Sequence, residues 1–208
     1  TGLSSRLMIG YYHTWDNAGN PFIKLRDVDS NWDVINISFA EPVSAGSTDG
    51  KMRFNISGLS SSYTKEDFKQ DIKTLQAKGK KIVLSIGGYE GYFSLDSQAA
   101  VNQFVSDIKG FVDEYGFDGI DIDLEQSSVQ FAQGNDKDIR QINSPKLANM
   151  VSAIKTIVHS YGDDFILSWA PETFYMQMGY MYYAGINQYC DSRAGSYLPM
   201  INALREET

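Results

Sequence analysis

The sequence predicts an α/β fold: a parallel sheet joined by crossover helices. Three observations predict it. Short, β-branched apolar runs recur along the chain, glycine or proline bounds them, and the stretches between carry the three-and-four spacing of amphipathic helices. A length of 208 residues suits one domain with a sizeable core.

The runs fall at residues 7–12, 33–39, 81–86 (closed by Gly87-Gly88), 117–124 and 165–170 (closed by Pro171). Short, rich in β-branched residues and bounded by glycine or proline, they read as buried parallel strands. Thr64 can cap a helix whose stripe is Phe68, Ile72 and Leu75, with Gly79 to stop it. Val101, Phe104, Val105, Ile108, Phe111, Val112 and Tyr115 form one face of a second helix, ended by Gly116. Ser144-Pro145 opens a third, with proline at the tolerated first position. Its stripe runs from Leu147 through Met150, Val151, Ile154, Ile157 and Val158 to Tyr161, and Gly162 closes it. A last helix holds Leu198, Ile201 and Leu204, and residues 41–63 read as a loop or small hairpin. The pattern alone allows an open doubly wound sheet or a (β/α) barrel. No Gly-x-Gly-x-x-Gly follows the first strand and no Gly-Lys-Ser/Thr loop occurs, so nucleotide binding has no support.

Composition narrows the partners. A formal charge of -8 argues against nucleic acid and against an anionic membrane surface. No apolar run approaches the roughly 20 residues needed to span a bilayer, and the first residues, Thr1 to Arg6, hold no apolar signal core. A single cysteine, Cys190, permits no internal disulfide. The two histidines, His13 and His159, leave little for a metal centre.

The fourth strand carries the chemistry. It reads Phe117-Asp118-Gly119-Ile120-Asp121-Ile122-Asp123-Leu124-Glu125. Side chains alternate along a strand, so Asp121, Asp123 and Glu125 share one face, successive members roughly 7 Å apart, while Ile120, Ile122 and Leu124 share the other. Like charges in a buried row must share protons or hold a cation. A calcium loop is disfavoured, because the loop glycine is missing and the intervening Ile, Ile and Leu demand a strand. Proton sharing spreads the pKa values and keeps one carboxyl protonated near neutrality, as a general acid requires. Glu125, last in the row and longest, reaches the C-terminal rim, where parallel α/β folds place their chemistry. Asp118 has the opposite parity and is given a structural role.

These residues resemble glycoside hydrolase family 18, the chitinases. Asp118 to Glu125 matches that family's DGxDxDxE signature, and Ser85-Ile86-Gly87-Gly88 resembles its SxGG motif. Gly10-Tyr11-Tyr12, residues 35–39 and Ala170-Pro171-Glu172 look like further strands of the family, so the likeness covers essentially all of 1–208 as one catalytic domain. The compact pattern resembles small bacterial endochitinases. The resemblance implies a (β/α)8 TIM-barrel type fold with about five βα units present here. It implies hydrolysis of β-1,4-linked N-acetylglucosamine polymers with retention and without an enzyme nucleophile. In that scheme Glu125 protonates the glycosidic oxygen, the substrate's 2-acetamido carbonyl attacks the anomeric carbon, Asp123 supports the acetamido group, and Asp121 shares a proton with Asp123. Tyr11 and Ser85 resemble positions that contact the carboxylate row. The same strand motif serves endo-β-N-acetylglucosaminidases of N-glycans; chitinase-like lectins typically lose the acid, which is present here.

Pyranose rings need flat aromatics. Trp15, Tyr89, Tyr92, Phe93, Trp169 and Tyr175 are candidates, with Trp15 and Tyr89 best placed at the rim. The expected substrate-binding set is Tyr11, Trp15, Ser85, Gly87, Gly88, Tyr89, Ala170 and Glu172, the two glycines permitting close backbone approach. No cofactor and no metal is implied. The expected partner is chitin or a chitooligosaccharide, with no nucleic acid or membrane, and the oligomeric state is left open. Secretion is expected because polymeric chitin is extracellular. An eight-unit barrel needs about 250 residues, and the family's sixth to eighth strands, with a tyrosine and a tryptophan of the pocket, have no counterpart in these 208. The expectation is a C-terminally incomplete domain, completed by other material and nearly inactive alone.

Overall fold

A computed structural model describes residue 3 and residues 5–129, 138–186 and 196–208. Among the described residues six strands and five α-helices follow in order: β1 (Ile9–His13), β2 (Val34–Pro42), β3 (Met52–Phe54), α1 (Lys65–Ala77), β4 (Lys81–Gly87), α2 (Gln98–Tyr115), β5 (Gly119–Asp123), α3 (Pro145–Tyr161), β6 (Ile166–Trp169), α4 (Thr173–Tyr183) and α5 (Tyr197–Ala203). The sheet order is β1-β2-β4-β5-β6, all parallel, with β3 antiparallel to β2. Residues 41–63 thus hold one strand of a hairpin.

Local chemistry explains the helix ends. At α1 the Thr64 hydroxyl accepts the Asp67 N–H at 3.2 Å, and the Asp67 carboxylate accepts the Thr64 N–H at 2.9 Å, a reciprocal cap. Ser97 caps α2 by accepting the Ala100 N–H, and Gly116 ends it in the left-handed region at φ 72°. Pro145 opens α3.

The outer face of the sheet, with Ile35, Ile37, Ile82, Leu84, Ile86, Ile120 and Ile122, packs on Phe68 and Ile72 of α1, Phe104 and Ile108 of α2, and Leu147, Ile154 and Ile157 of α3 in one apolar cluster. α1, α2 and α3 thus cover one face. The other face bears hydroxyls, an amide and carboxylates, which is the inside of a barrel and not the second layer of a doubly wound sheet. The fold is the (β/α)8 TIM-barrel type, present as an open arc with β1 and β6 at its ends. Inward residues of β1 are accordingly exposed, Ile9 at 51% and Tyr11 at 44%.

Four expectations are corrected. The first strand begins at Ile9, not Leu7. The fourth ends at Asp123, so Glu125 stands two residues beyond it. In α5 the buried residues are Tyr197, Pro199 and Met200, with Leu204 buried just past its end, rather than Leu198, Ile201 and Leu204; the Tyr197 hydroxyl points inward and donates to the Leu124 carbonyl. α4 was not expected at all: its aromatics and methionines surround the helix without a polar stripe, so no 3.6-residue period marks it. Cys190 lies outside the described residues.

Candidate active site

Parallel register builds the inner face in rows. Ser38 pairs with Ser85, Ser85 with Asp121 and Asp121 with Ser168, one residue from each of β2, β4, β5 and β6. One step nearer the rim, Gly87 pairs with Asp123.

Asp121 is 1% exposed and would be costly as an anion without donors. It has three. Tyr11 Oη and Ser85 Oγ donate to its Oδ2 at 2.9 and 2.8 Å, and Ser168 Oγ donates to its Oδ1 at 2.7 Å. Hydrogen bonds to an ionised carboxylate are the strong kind. Burial and the neighbouring Asp121 raise the Tyr11 phenol well above its ordinary value, so it remains a donor.

Asp123 differs: it is partly buried, and burial, reinforced by Glu125, Asp121 and Glu172, pushes its carboxyl up to about 7. Its carboxyl therefore gains and loses a proton near neutrality. Glu125 stands further out, also raised, first by desolvation and then by Glu172, with which it shares a hydrogen bond. Glu172 is exposed and precedes α4 at its N-cap position, with no capping bond from its side chain.

The remaining candidates surround this row. Gly87 (φ 115°) and Gly88 (φ 83°) occupy backbone regions that favour glycine, and a Cβ on Gly87 would lie 2.1 Å from the Asp123 carbonyl oxygen. The Gly88 N–H donates to that same oxygen at 2.8 Å. Gly87 and Gly88 also line a groove of about 620 Å³ with Trp15, Phe39 and Tyr89, bounded by the Arg53–Glu41 ion pair. The Trp15 ring stacks on Phe39 with centroids 6.0 Å apart, and Tyr89 is 71% exposed. The Gln126 side chain holds the Tyr89 loop by donating to the Tyr89 carbonyl at 2.7 Å. Ala170 follows β6, its N–H donating to the Ile122 carbonyl at 2.9 Å.

Two aromatic candidates are overturned. Phe93 and Tyr175, each 2% exposed, are core: Phe93 stacks on Phe104, and Tyr175 packs on Tyr197. Trp169 is partly buried and donates to Thr208 Oγ1. His13 Nδ1 contacts the Trp15 carbonyl and His159 pairs with Glu207. Asp118 accepts the Ile82 N–H at 2.8 Å and the Gln76 side-chain N–H at 3.0 Å, tying β5 to β4 and α1.

Sequence reasoning missed Ser168, Asn36 and Tyr197. Asn36 hydrogen-bonds Tyr11, and its Oδ1, like the Ser38 hydroxyl, is a buried polar atom with no partner. The available signal was parity: Asn36 and Ser168 are polar residues at inward positions of otherwise apolar strands.

Comparison with known proteins agrees with this geometry. Exochitinase 1 of Streptomyces olivaceoviridis is 41% identical over 99% of this chain and 34% of its own length. Chitinase D of Niallia circulans is 43% identical over 98% of this chain and 36% of its own. The chain thus spans about a third of the length of these curated relatives. A crystal structure of a family GH18 chitinase from Chromobacterium violaceum superimposes with a TM-score of 0.78 at 34% identity, over 98% of this chain and 48% of that one. Residues 7–193 match the family described as "Glycosyl hydrolases family 18", and the chain belongs to that family.

Proposed function

We propose that the protein carrying this chain is a secreted endo-acting chitinase that hydrolyses β-1,4-linked N-acetylglucosamine polymers with retention, Glu125 being the proton donor. The observation that carries this reading is the graded row: Asp121 buried and held by three donors, Asp123 titrating near neutrality, Glu125 outermost and raised.

The protonated Glu125 carboxyl donates to the glycosidic oxygen as the bond to the anomeric carbon breaks. The 2-acetamido carbonyl oxygen bonds that carbon, giving an oxazolinium ion. Asp123, passing its proton to Asp121, becomes the anion that accepts the acetamido N–H and offsets the positive charge. Water then attacks the anomeric carbon, the Glu125 carboxylate takes its proton, and the ring opens with retained configuration. Trp15, stacked on Phe39 beside the groove, offers a flat apolar face to a neighbouring sugar. The names of the relatives favour chitin over N-glycans as the substrate. For the 208 residues alone we expect little turnover, because the open arc leaves Tyr11 44% exposed and does not exclude water from the row.

The test is Glu125→Gln in the protein that carries this chain, assayed on N-acetylglucosamine oligomers. Removing the acid is expected to lower kcat by at least about a hundredfold while oligomer affinity stays within a fewfold. Retained turnover overturns the proton donor. Release from high-mannose glycopeptides, with none from chitin oligomers, overturns the substrate. Exclusive release of terminal units overturns endo attack.

A further inference from the structure

Tyr11 and Ser85 both serve one oxygen of Asp121, its Oδ2; among the described residues Ser168 alone serves Oδ1. We propose that Ser168 is a positioning residue that decides where the proton of the carboxylate row resides: by donating to Asp121 Oδ1 it holds Asp121 as the resting anion and leaves the proton on Asp123. The inference rests on the hydrolase reading above, in which that proton must move during turnover.

Geometry gives Ser168 little freedom to do anything else. Its Cα is in direct register with Asp121 across the β5–β6 pair, and a serine hydroxyl is one bond from Cβ, so the contact is set by strand pairing. Both Asp121 oxygens are thus satisfied by hydroxyl donors despite the burial of the group. Without Ser168, Oδ1 has open lone pairs in a buried site, and the cheapest way to satisfy them is a proton. The nearest proton is the one on Asp123.

The surrounding groups do not supply a substitute. From β1 the Tyr11 phenol is already engaged on Oδ2, and His13, in the same row, turns Nδ1 to the Trp15 carbonyl. From α5 the Tyr197 hydroxyl donates to the Leu124 carbonyl. From β2 Asn36 is bonded to Tyr11. The charges acting on Asp123 are carboxylates, Glu125, Asp121 and Glu172. Ser168 itself is partly exposed toward the open arc, so a small added group is tolerated there.

The test compares Ser168→Thr with Ser168→Val, which add the same bulk and differ by the hydroxyl. In the chain labelled with ¹³C at aspartate carboxyls, the step near neutrality belongs to Asp123 in the parent and in Ser168→Thr. In Ser168→Val the chemical-shift change is expected to pass to Asp121 and the step to rise by about one unit. In the active protein, Ser168→Val is expected to move a limb of the kcat/KM pH profile by the same amount and to lower kcat about tenfold with little change in KM, Ser168→Thr restoring both. Superimposable titrations of parent and Ser168→Val overturn the proposal, as does equal loss of activity in both variants with the titration unmoved, which marks a merely structural role. Failure of the hydrolase reading is separate: it shows as turnover surviving Glu125→Gln, and leaves the carboxyl titration to be judged by itself.

Discussion

On β5, Ile120 and Ile122 face the helices at 0% and 1% exposure, while Asp121 between them faces the arc at 1%. Burial is equal and its consequences are opposite. The isoleucines gain from leaving water in proportion to their area. The aspartate loses solvation and is tolerated only because three hydroxyls replace its water. The outer face therefore fixes where the strand sits, and the inner face carries an electrostatic cost that a catalyst can use. Asp118, two residues before Ile120, shows a third outcome: a carboxylate whose bonds go to β4 and α1, where it clamps the fold.

Truncating the outer face is the severest way to break this contrast. Ile120→Ala leaves a cavity between β5 and its covering helices and is expected to cost about 3 kcal/mol in urea unfolding, uniformly with pH. If the loss is under about 1 kcal/mol, the outer face is not what anchors the strand. Asp118→Ala comes next. It strips the acceptor from the Ile82 N–H, in a strand residue that is fully buried, and from the Gln76 amide. The expected loss is about 2 kcal/mol, with the Asp123 titration unmoved; a shift in that titration would mean that Asp118 belongs to the inner network after all.

How much of this was legible depends on whether a feature is local. Alternation along residues 119–123 separates the two faces within one segment, so the shared inward face of Asp121 and Asp123 could be read directly, whereas Glu125 stands two residues past the strand end. Caps at Thr64 and Gly116 were equally local. Ser168 was only partly so: parity marks it as a polar residue at an inward position, but its role arises from register with a residue 47 positions away. Phe93 and Tyr175 were misplaced for a related reason: an aromatic just beyond a strand packs inward or lines a groove with the same sequence signature. The helix α4 lacks the alternation by which helices are recognised, and β3 is too short to show a period.

The smallest effect is also the most diagnostic of the inner face, because its sign depends on pH. Asp123 has a folded-state value of about 7 against an ordinary value near 4. A native state that binds a proton the unfolded chain releases is stabilised by acid: the contribution is intact below about pH 4 and is lost as pH rises to about 7. Asp123→Asn has no proton to lose. At pH 8 the variant is therefore expected to be more stable than the parent by about 1–2 kcal/mol, a figure already reduced for the solvent that reaches this half-buried group, and the difference should shrink toward zero near pH 4. On the proposed mechanism turnover should fall in the same variant, since a neutral amide cannot become the anion that this mechanism sets against the acetamido N–H. Denaturant midpoints of parent and variant across this range measure the gap. A constant difference would mean that Asp123 ionises in the fold as easily as in the unfolded chain, and the row would then hold no proton to share. A gap opening with pH, together with lost activity, is what a site that trades stability for a movable proton must show.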